Sequence, residues 1–329
     1  MTYPNTPKTS AVNCTDTDQN EVDCTGAGRS EANCTEVVRD YVRQSVSENT
    51  RRAYRSDLAH FTDWGGSIPA TDVMIAEYLA AYAGKLSIAT LSRRLATLSK
   101  AHTAKGLISP TTSELVKSTM RGIKRSHAVP QRVAKPLLVE DLFRIMPMLG
   151  DSVKDVRDRA LLLLGFAGGF RRSELVGLDV DDLEWVRQGL VIHLRRSKTD
   201  QEGLGRKIGV PYARGRWCPV ESLRAWLSLA GVEGGPVFRP VTRHGRIADN
   251  RLSADAVNCV VKSHAKGIGL DPSQLSGHSL RAGLATSAAQ AGVATWKIRQ
   301  QTGHATDVML ARYIRDGELF TDNAAGVLL

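Results

Sequence analysis

Three things are scarce in this chain: cysteine, uninterrupted apolar sequence and acidic residues. The five cysteines are Cys14, Cys24, Cys34, Cys218 and Cys259. An odd number in a chain without an export signal argues against a disulfide framework. The first three stand ten residues apart, too far for a zinc knuckle, so all read as reduced thiols. No apolar run reaches the roughly 18–20 residues that span a bilayer. The longest apolar cluster, Ala160 to Phe170, follows charged residues and reads as a buried helix. The N-terminus lacks a basic-then-apolar leader. A soluble, cytoplasmic protein with no membrane partner is therefore expected. A G-x-x-x-x-G-K-[ST] phosphate loop is missing, and so is any acidic cluster with Mg²⁺-like spacing. No nucleotide, metal or other cofactor is expected.

The shortage of acid is uneven. Acidic residues number 34 against 44 lysines and arginines, a net charge of +10. Residues 1–40 run the other way, with seven acids against three bases, so by difference residues 41–329 carry +14. A basic body favours polyanionic partners, nucleic acid first.

Within that acidic stretch, residues 12–38 hold a degenerate ten-residue repeat, VNCTDTDQNE, VDCTGAGRSE, ANCTEVV. It is too poor in large apolar side chains to offset its ordering entropy, and residues 1–36 are read as disordered. Residues 37–127 read as a helical domain. Ser47 or Asn49 opens a helix to about Trp64, Thr71-Asp72 opens a second, a third runs from Ser87 to about Lys105, and a fourth from Ser113 to about Arg125. Four short-looped amphipathic helices make a bundle. Its polar faces are basic, and Arg51, Arg52, Arg55, Arg93, Arg94, Lys100, Lys117, Arg121 and Lys124 are the expected phosphate contacts.

Residues 128–136, AVPQRVAKP, carry two prolines and no periodicity, and read as an extended linker. The second domain, residues 137–329, is mainly helical with a small antiparallel sheet. Helices are expected over Leu138–Leu149, Val153–Ala167, from Ser173, and over Val220–Leu229, Ser253–Lys266, His278–Ala291, Thr295–Thr302 and Val308–Ile314. Strands are expected at 189–194 and 207–210, joined by a turn around Lys198 to Gly205.

Polar residues recur where this domain changes element. Arg171 follows a glycine pair and precedes a helix start, with Glu174 one turn on. Lys198 sits at a strand-turn-strand tip. His278 and Arg281, three residues apart, share a helix face. His304 follows Gly303, and Tyr313 lies on the next helical segment. Singly, each is ordinary: a surface arginine, a solvated lysine, a helix-start histidine. Together, two imidazoles, guanidiniums and a phenol suit an anionic substrate attacked by an oxygen nucleophile.

The order Arg171-x-x-Glu174, Lys198 in a turn, His278-x-x-Arg281, Gly303-His304 and then Tyr313 resembles the tyrosine recombinase family (phage-integrase, Cre and Xer type). FRRSELVGL, SGHSLRAGLAT, QTGHAT and MLARYIR carry the resemblance, which spans residues 40–329. It implies a helical core DNA-binding domain linked to a mixed α/β catalytic domain, the two closing on DNA. It implies further that Tyr313 attacks the scissile phosphorus to give a 3′-phosphotyrosyl link and a free 5′-hydroxyl. His278 then serves as general base, Arg171 and Arg281 hold the non-bridging oxygens, His304 donates a hydrogen bond and Glu174 is supporting. Lys198 becomes the general acid, with Lys207 the nearby alternative. The implied partner is double-stranded DNA with an inverted-repeat site. A homotetramer would act on two duplexes, the C-terminal tail (Leu319, Phe320, Val327, Leu328) docking in trans. The alternatives are a type IB-like topoisomerase and a non-catalytic DNA-binding regulator on the same fold.

Overall fold

The computed structural model describes residues 36–38, 40–41, 45–127, 134–195, 205–304, 306–308, 310–311 and 313. The N-terminal repeat, Lys198, most of the expected linker and the C-terminal tail lie outside the described residues. The chain divides into two compact units, Met1–Pro130 and Gln131–Leu329.

The first unit contains α1 (Glu48–Asp63), α2 (Asp72–Ala81), α3 (Ile88–Thr103) and α4 (Glu114–His127). All four helices start on a hydroxyl cap, the last on Ser113, which accepts from the Val116 N–H at 3.3 Å. Ser47, Thr71 and Ser87 accept hydrogen bonds from the backbone N–H groups of Thr50, Met74 and Thr90, each satisfying one of the donors a helix start leaves open. The inward faces supply Phe61, Ile75, Tyr78, Leu79, Leu91, Leu98, Val116, Met120 and Ile123 to a single core.

One expected phosphate contact belongs to that core. Arg94 is only 8% exposed and follows Leu91 by three residues and precedes Leu98 by four, the spacing of one helix face. Its guanidinium donates to Tyr78 Oη at 3.0 Å and lies 2.9 Å from His60 Nδ1, with Nε 3.5 Å from Asp57 Oδ1. Asp57, itself 1% exposed, also accepts two bonds from Arg93, at 3.0 and 2.8 Å, and one from Thr97 at 3.1 Å. Arg94 therefore anchors the bundle from within, and its charge is taken up by Asp57. Burial, then the Arg94 charge, holds the His60 pKa below its ordinary value.

The remaining candidates stay at the surface of the unit. Arg52 is exposed, and Arg51 and Arg55 both reach Glu48, at 3.0 and 3.1 Å. Lys100 lies 5.1 Å from the centre of the Tyr54 ring. Lys117, Arg121 and Lys124 line a shallow pocket together with Leu95, Thr111, Val116 and Met120.

The second unit begins with α5 (Val139–Ile145), which gives way to a 3₁₀ turn, Met146–Met148. The single helix expected over Leu138–Leu149 is thus cut short. Pro147 has no N–H to bond back along the helix, and its ring crowds the preceding turn. Then follow α6 (Val153–Ala167), α7 (Arg172–Gly177), β1 (Leu183–Val186), β2 (Gly189–Leu194), β3 (Arg206–Pro211), α8 (Pro219–Ala230), α9 (Ala254–Gly267), α10 (His278–Gln290) and α11 (Thr295–Thr302). Residues 307–308, 310–311 and 313 are helical as well.

The three strands form an antiparallel sheet in the order β1-β2-β3, with Leu190 opposite Val210, Ile192 opposite Ile208 and Leu194 opposite Arg206. β1 adds a strand to the two named from the sequence. The centre of the unit is α6, whose Ala160 and Leu161 to Leu164 are all buried. α8 and α10 pack on it, contributing Val220, Leu223, Trp226 and Leu280 to the same core. At about 1.5–3 kcal/mol for each large apolar side chain buried, α6 is the fixed frame from which the polar residues project. The mainly helical class with a small antiparallel sheet agrees with the sequence reading. Among the described residues no helix is long and apolar enough to cross a membrane.

Candidate functional site

The site is assembled where three elements end. Gly168 caps α6, and Gly169 turns the chain with φ +58°. A side chain on Gly169 would meet Leu284 at 2.9 Å and Thr302 at 3.0 Å, so only glycine lets the turn sit this close to α10 and α11. Arg171 follows as the extended residue that opens α7. Glu174, 5% exposed, reaches back and accepts the Arg171 backbone N–H at 3.0 Å. The same carboxylate pairs with the Arg171 guanidinium. Arg171 also donates from Nη2 to the carbonyl of Gly303 at 3.2 Å.

Of the two adjacent arginines, geometry separates the roles. Arg172 runs past Gly277 and pairs with Asp255 at 3.0 Å. Arg171 is the one that faces Glu174 and Gly303.

α10 supplies His278 at its first position and Arg281 one turn later. Arg281 is 1% exposed. Its Nη1 donates to the carbonyl of Gly169 at 2.8 Å and to that of Thr302, while its buried Nε has no partner. Burial, then the nearby Arg171 charge, lowers its pKa to about 10, so it stays charged at neutral pH.

His278 Nε2 lies 2.7 Å from Tyr313 Oη. Burial lowers the His278 pKa, and the charges of Arg281, Arg171 and Arg172 lower it further. The ring is therefore neutral at pH 7 and has a lone pair to offer. Tyr313 packs against a small cluster made by Ala285, Ala289, Ile298 and Leu310. This cluster sets the phenol beside His278.

His304 arrives through a tight turn. α11 ends at Thr302, and Gly303 takes the left-handed conformation at φ +66°. A Cβ on Gly303 would collide with the Arg206 guanidinium. His304 is buried, with Nδ1 2.7 Å from Thr302 Oγ1. Its ring centre is 5.7 Å from that of Tyr313. Burial, followed by the Arg281 and Arg171 charges, drives its pKa to about 3, so it too is neutral.

A further guanidinium, missed by the sequence reading, belongs to this group. Arg206 opens β3, and its Nη1 donates to the carbonyls of Gln301 at 3.0 Å and Gln300 at 3.4 Å. Its Nη2 is 3.4 Å from Glu174 Oε2, and its buried Nε has no partner. A trace of it is visible in the strand pattern, because Arg206, Ile208 and Val210 alternate on the inward face. Lys207 is exposed, on the opposite face of the strand from Arg206.

The result is three guanidiniums, two neutral imidazoles and a phenol against one shared carboxylate. Such a cluster lacks negative charge and is matched to an oxyanion. Arg171, Glu174, His278, Arg281, His304 and Tyr313 are brought together. Lys198 lies outside the described residues.

Residues 135–318 match the phage integrase family, and residues 40–105 match the phage integrase N-terminal SAM-like domain. An integrase/recombinase XerD homologue from Selenomonas ruminantium is 38% identical over 293 residues, covering 86% of each chain. The Cre recombinase of Escherichia phage P1 is 27% identical over 299 residues, covering 83% of this chain and 86% of its own. Among solved structures, a lambda integrase dimer bound to a COC′ core site aligns with a TM-score of 0.62 at 18% identity, over 88% of this chain and 78% of that one. The XerH recombinase in a post-cleavage complex aligns with a TM-score of 0.58 at 19% identity, over 78% and 72%. Family match, identity over most of the chain and fold agree: this chain belongs to the phage integrase family of tyrosine recombinases.

Proposed function

We propose that the protein is a site-specific DNA recombinase that cuts and rejoins strands through a 3′-phosphotyrosyl intermediate. The observation that carries this reading is the 2.7 Å contact between His278 Nε2 and Tyr313 Oη beside the arginine cluster. A phenol, whose ordinary pKa is about 10, must lose its proton as it attacks. His278, held neutral, is placed to take it. Arg171 and Arg281 hold the two non-bridging oxygens and stabilise the charge that builds on the pentavalent phosphorus. His304 donates to one of those oxygens. Glu174 orients Arg171, and Lys198 protonates the departing 5′-oxygen. Energy is conserved in the phosphotyrosyl bond, so rejoining is attack by a 5′-hydroxyl on the same phosphorus.

In this reading residues 37–127 are the core DNA-binding domain, 128–136 the linker, and 137–329 the catalytic domain with its tail. Residues 1–36 are assigned to neither. Arg51, Arg52, Arg55, Arg93, Lys100, Lys117, Arg121 and Lys124 contact phosphates. Related folds have been seen as a lambda integrase tetramer on a Holliday junction and as XerH on a palindromic difH substrate. By extension the protein acts as a tetramer on two inverted-repeat sites, its C-terminal tail docking on a neighbouring protomer.

The test uses a duplex recovered by binding selection from a randomised pool, nicked so that cleavage traps the covalent adduct. Wild-type protein accumulates a protein–DNA adduct at the 3′ side of the break, and Tyr313→Phe binds the duplex but forms none. An adduct persisting with Tyr313→Phe refutes the assignment of the nucleophile.

A further inference from the structure

His304 can donate to a phosphate oxygen only if its outward nitrogen carries a proton. A protonated ring is disfavoured at this position, which is buried and faces Arg281 and Arg171. The ring must therefore work as a neutral imidazole, which has one N–H and one bare nitrogen. The group in contact with its inner nitrogen decides which is which.

That group is the hydroxyl of Thr302, 0% exposed and so shielded from water. Thr302 Oγ1 lies 2.7 Å from the Ile298 carbonyl and 2.7 Å from His304 Nδ1. A hydroxyl has a single proton to give. If it goes to Ile298, the threonine oxygen must accept from Nδ1–H, and Nε2 is left as a bare acceptor that repels a phosphate oxygen. If it goes to His304, Nδ1 is the acceptor and the ring proton stands on Nε2. Ile298 is four residues before Thr302 in α11. Its carbonyl therefore faces the helix's own N–H and does not depend on the hydroxyl.

We propose that Thr302 is a positioning residue for the cleavage step: its hydroxyl turns from the Ile298 carbonyl to His304 Nδ1 and so fixes the Nε2–H tautomer that a bound phosphate requires. No charge changes in the switch. One proton leaves Nδ1, one is taken up at Nε2, and the hydroxyl keeps its own. The position of Thr302 is set by the same contacts that build the site. Its carbonyl accepts from Arg281, and its methyl group packs toward Gly169. The inference rests on the reading of His304 as a phosphate donor.

Three variants and one spectroscopic measurement test it, with the selected nicked duplex as probe. Thr302→Val keeps the shape and removes the hydroxyl, and Thr302→Ser restores it. With one hydrogen bond at stake, Thr302→Val should cleave about tenfold more slowly at saturating duplex. Its duplex affinity should be unchanged, and Thr302→Ser should cleave within about twofold of wild type. In ¹⁵N-histidine-labelled full-length protein, the His304 resonances, assigned with His304→Asn, should show the proton on Nε2 when the duplex is bound. Wild-type rates for Thr302→Val, equal loss in Thr302→Ser, or a proton found on Nδ1 in the bound state would each overturn the inference. The wild-type spectrum decides the matter even if Thr302→Val folds poorly. His304→Asn cleaving at the wild-type rate would instead refute the phosphate-donor reading itself.

Discussion

Replacing Glu174 by glutamine isolates the charge balance of the site. The carboxylate is 2% exposed at its side chain and is shared by Arg171 and Arg206, whose side chains are 17% and 21% exposed. Solvent screens such buried pairs weakly. Removing one partner of a buried ion pair costs about 3–5 kcal/mol, because the charge left behind has lost its counterion. Glutamine keeps an oxygen for the Arg171 N–H, so the cost belongs at the lower end, about 3 kcal/mol. For a unit spanning Gln131–Leu329, where about 1 kcal/mol moves the midpoint by 2–4 °C, the second unit should melt about 6–12 °C lower. Calorimetry of the full chain would measure this. The decisive comparison adds the DNA duplex. A phosphate in the cluster supplies the missing negative charge, so the gap between Glu174→Gln and wild type should shrink on binding. An unchanged midpoint in Glu174→Gln, or a gap of equal size with and without DNA, would refute the argument that the guanidiniums await an anion.

Other outcomes follow from the same geometry. Unfolding should free His278 and His304 to titrate near the ordinary histidine value of about 6.5, whereas in the folded chain both sit lower, His304 at about 3. The unfolded chain then binds protons that the folded one refuses, so stability falls as pH drops below about 6.5 and is unaffected by these groups above it. Denaturant titrations at pH 7 and pH 5 should show the loss, and His304→Asn should reduce it. Cleavage should hold steady from pH 7 to about 6.5 and decline only in more acid solution, as the His278 lone pair is lost. In the first unit, Asp57→Asn strands Arg94 and should cost about 3 kcal/mol, read from its thermal transition. Lys198→Ala should slow cleavage about 10²–10⁴-fold. A duplex with sulfur as the 5′ leaving atom, a thiol leaving group with a pKa of about 8.5, should restore the rate, while Lys207→Ala cleaves as wild type. Failure of sulfur to rescue Lys198→Ala would remove Lys198 as the acid.

Much of the site could be read from spacing, because Arg171 and His278 open helices, Glu174 and Arg281 lie in the first turns that follow, and His304 comes just after a helix end, where sequence punctuation is strongest. Capping residues and glycine pairs located the helix boundaries for the same reason. What escaped was information carried by tertiary contact. Arg206 looks like one more cation before a strand until β3 turns it toward Glu174. Arg94 looks like part of a basic face until Leu91 and Leu98 are seen to share its side of α3. The spacing to Glu174 singled out Arg171, but the partner of Arg172, Asp255, lies more than eighty residues away in sequence and could not be read from it. The break at Pro147 was legible, but the apolar periodicity across it suggested a continuous helix.

The last turn of α11 has a consequence for how arginine variants behave. The carbonyls of Gln300 and Gln301 accept from Arg206, that of Thr302 from Arg281, and that of Gly303 from Arg171. These arginines are therefore tethers as well as charges: they tie down the helix end from which the chain runs on through His304 to Tyr313. Lysine has three donors but no planar fork, so it cannot reproduce the fixed geometry with which a guanidinium spans a carbonyl and a phosphate. Small guanidinium compounds added to an Arg171→Ala or Arg281→Ala variant would return charge to the pocket while leaving the nucleophile's arm unmoored. Chemical rescue should thus recover anion binding more fully than strand cleavage, and the shortfall measures how much of each arginine's value is mechanical.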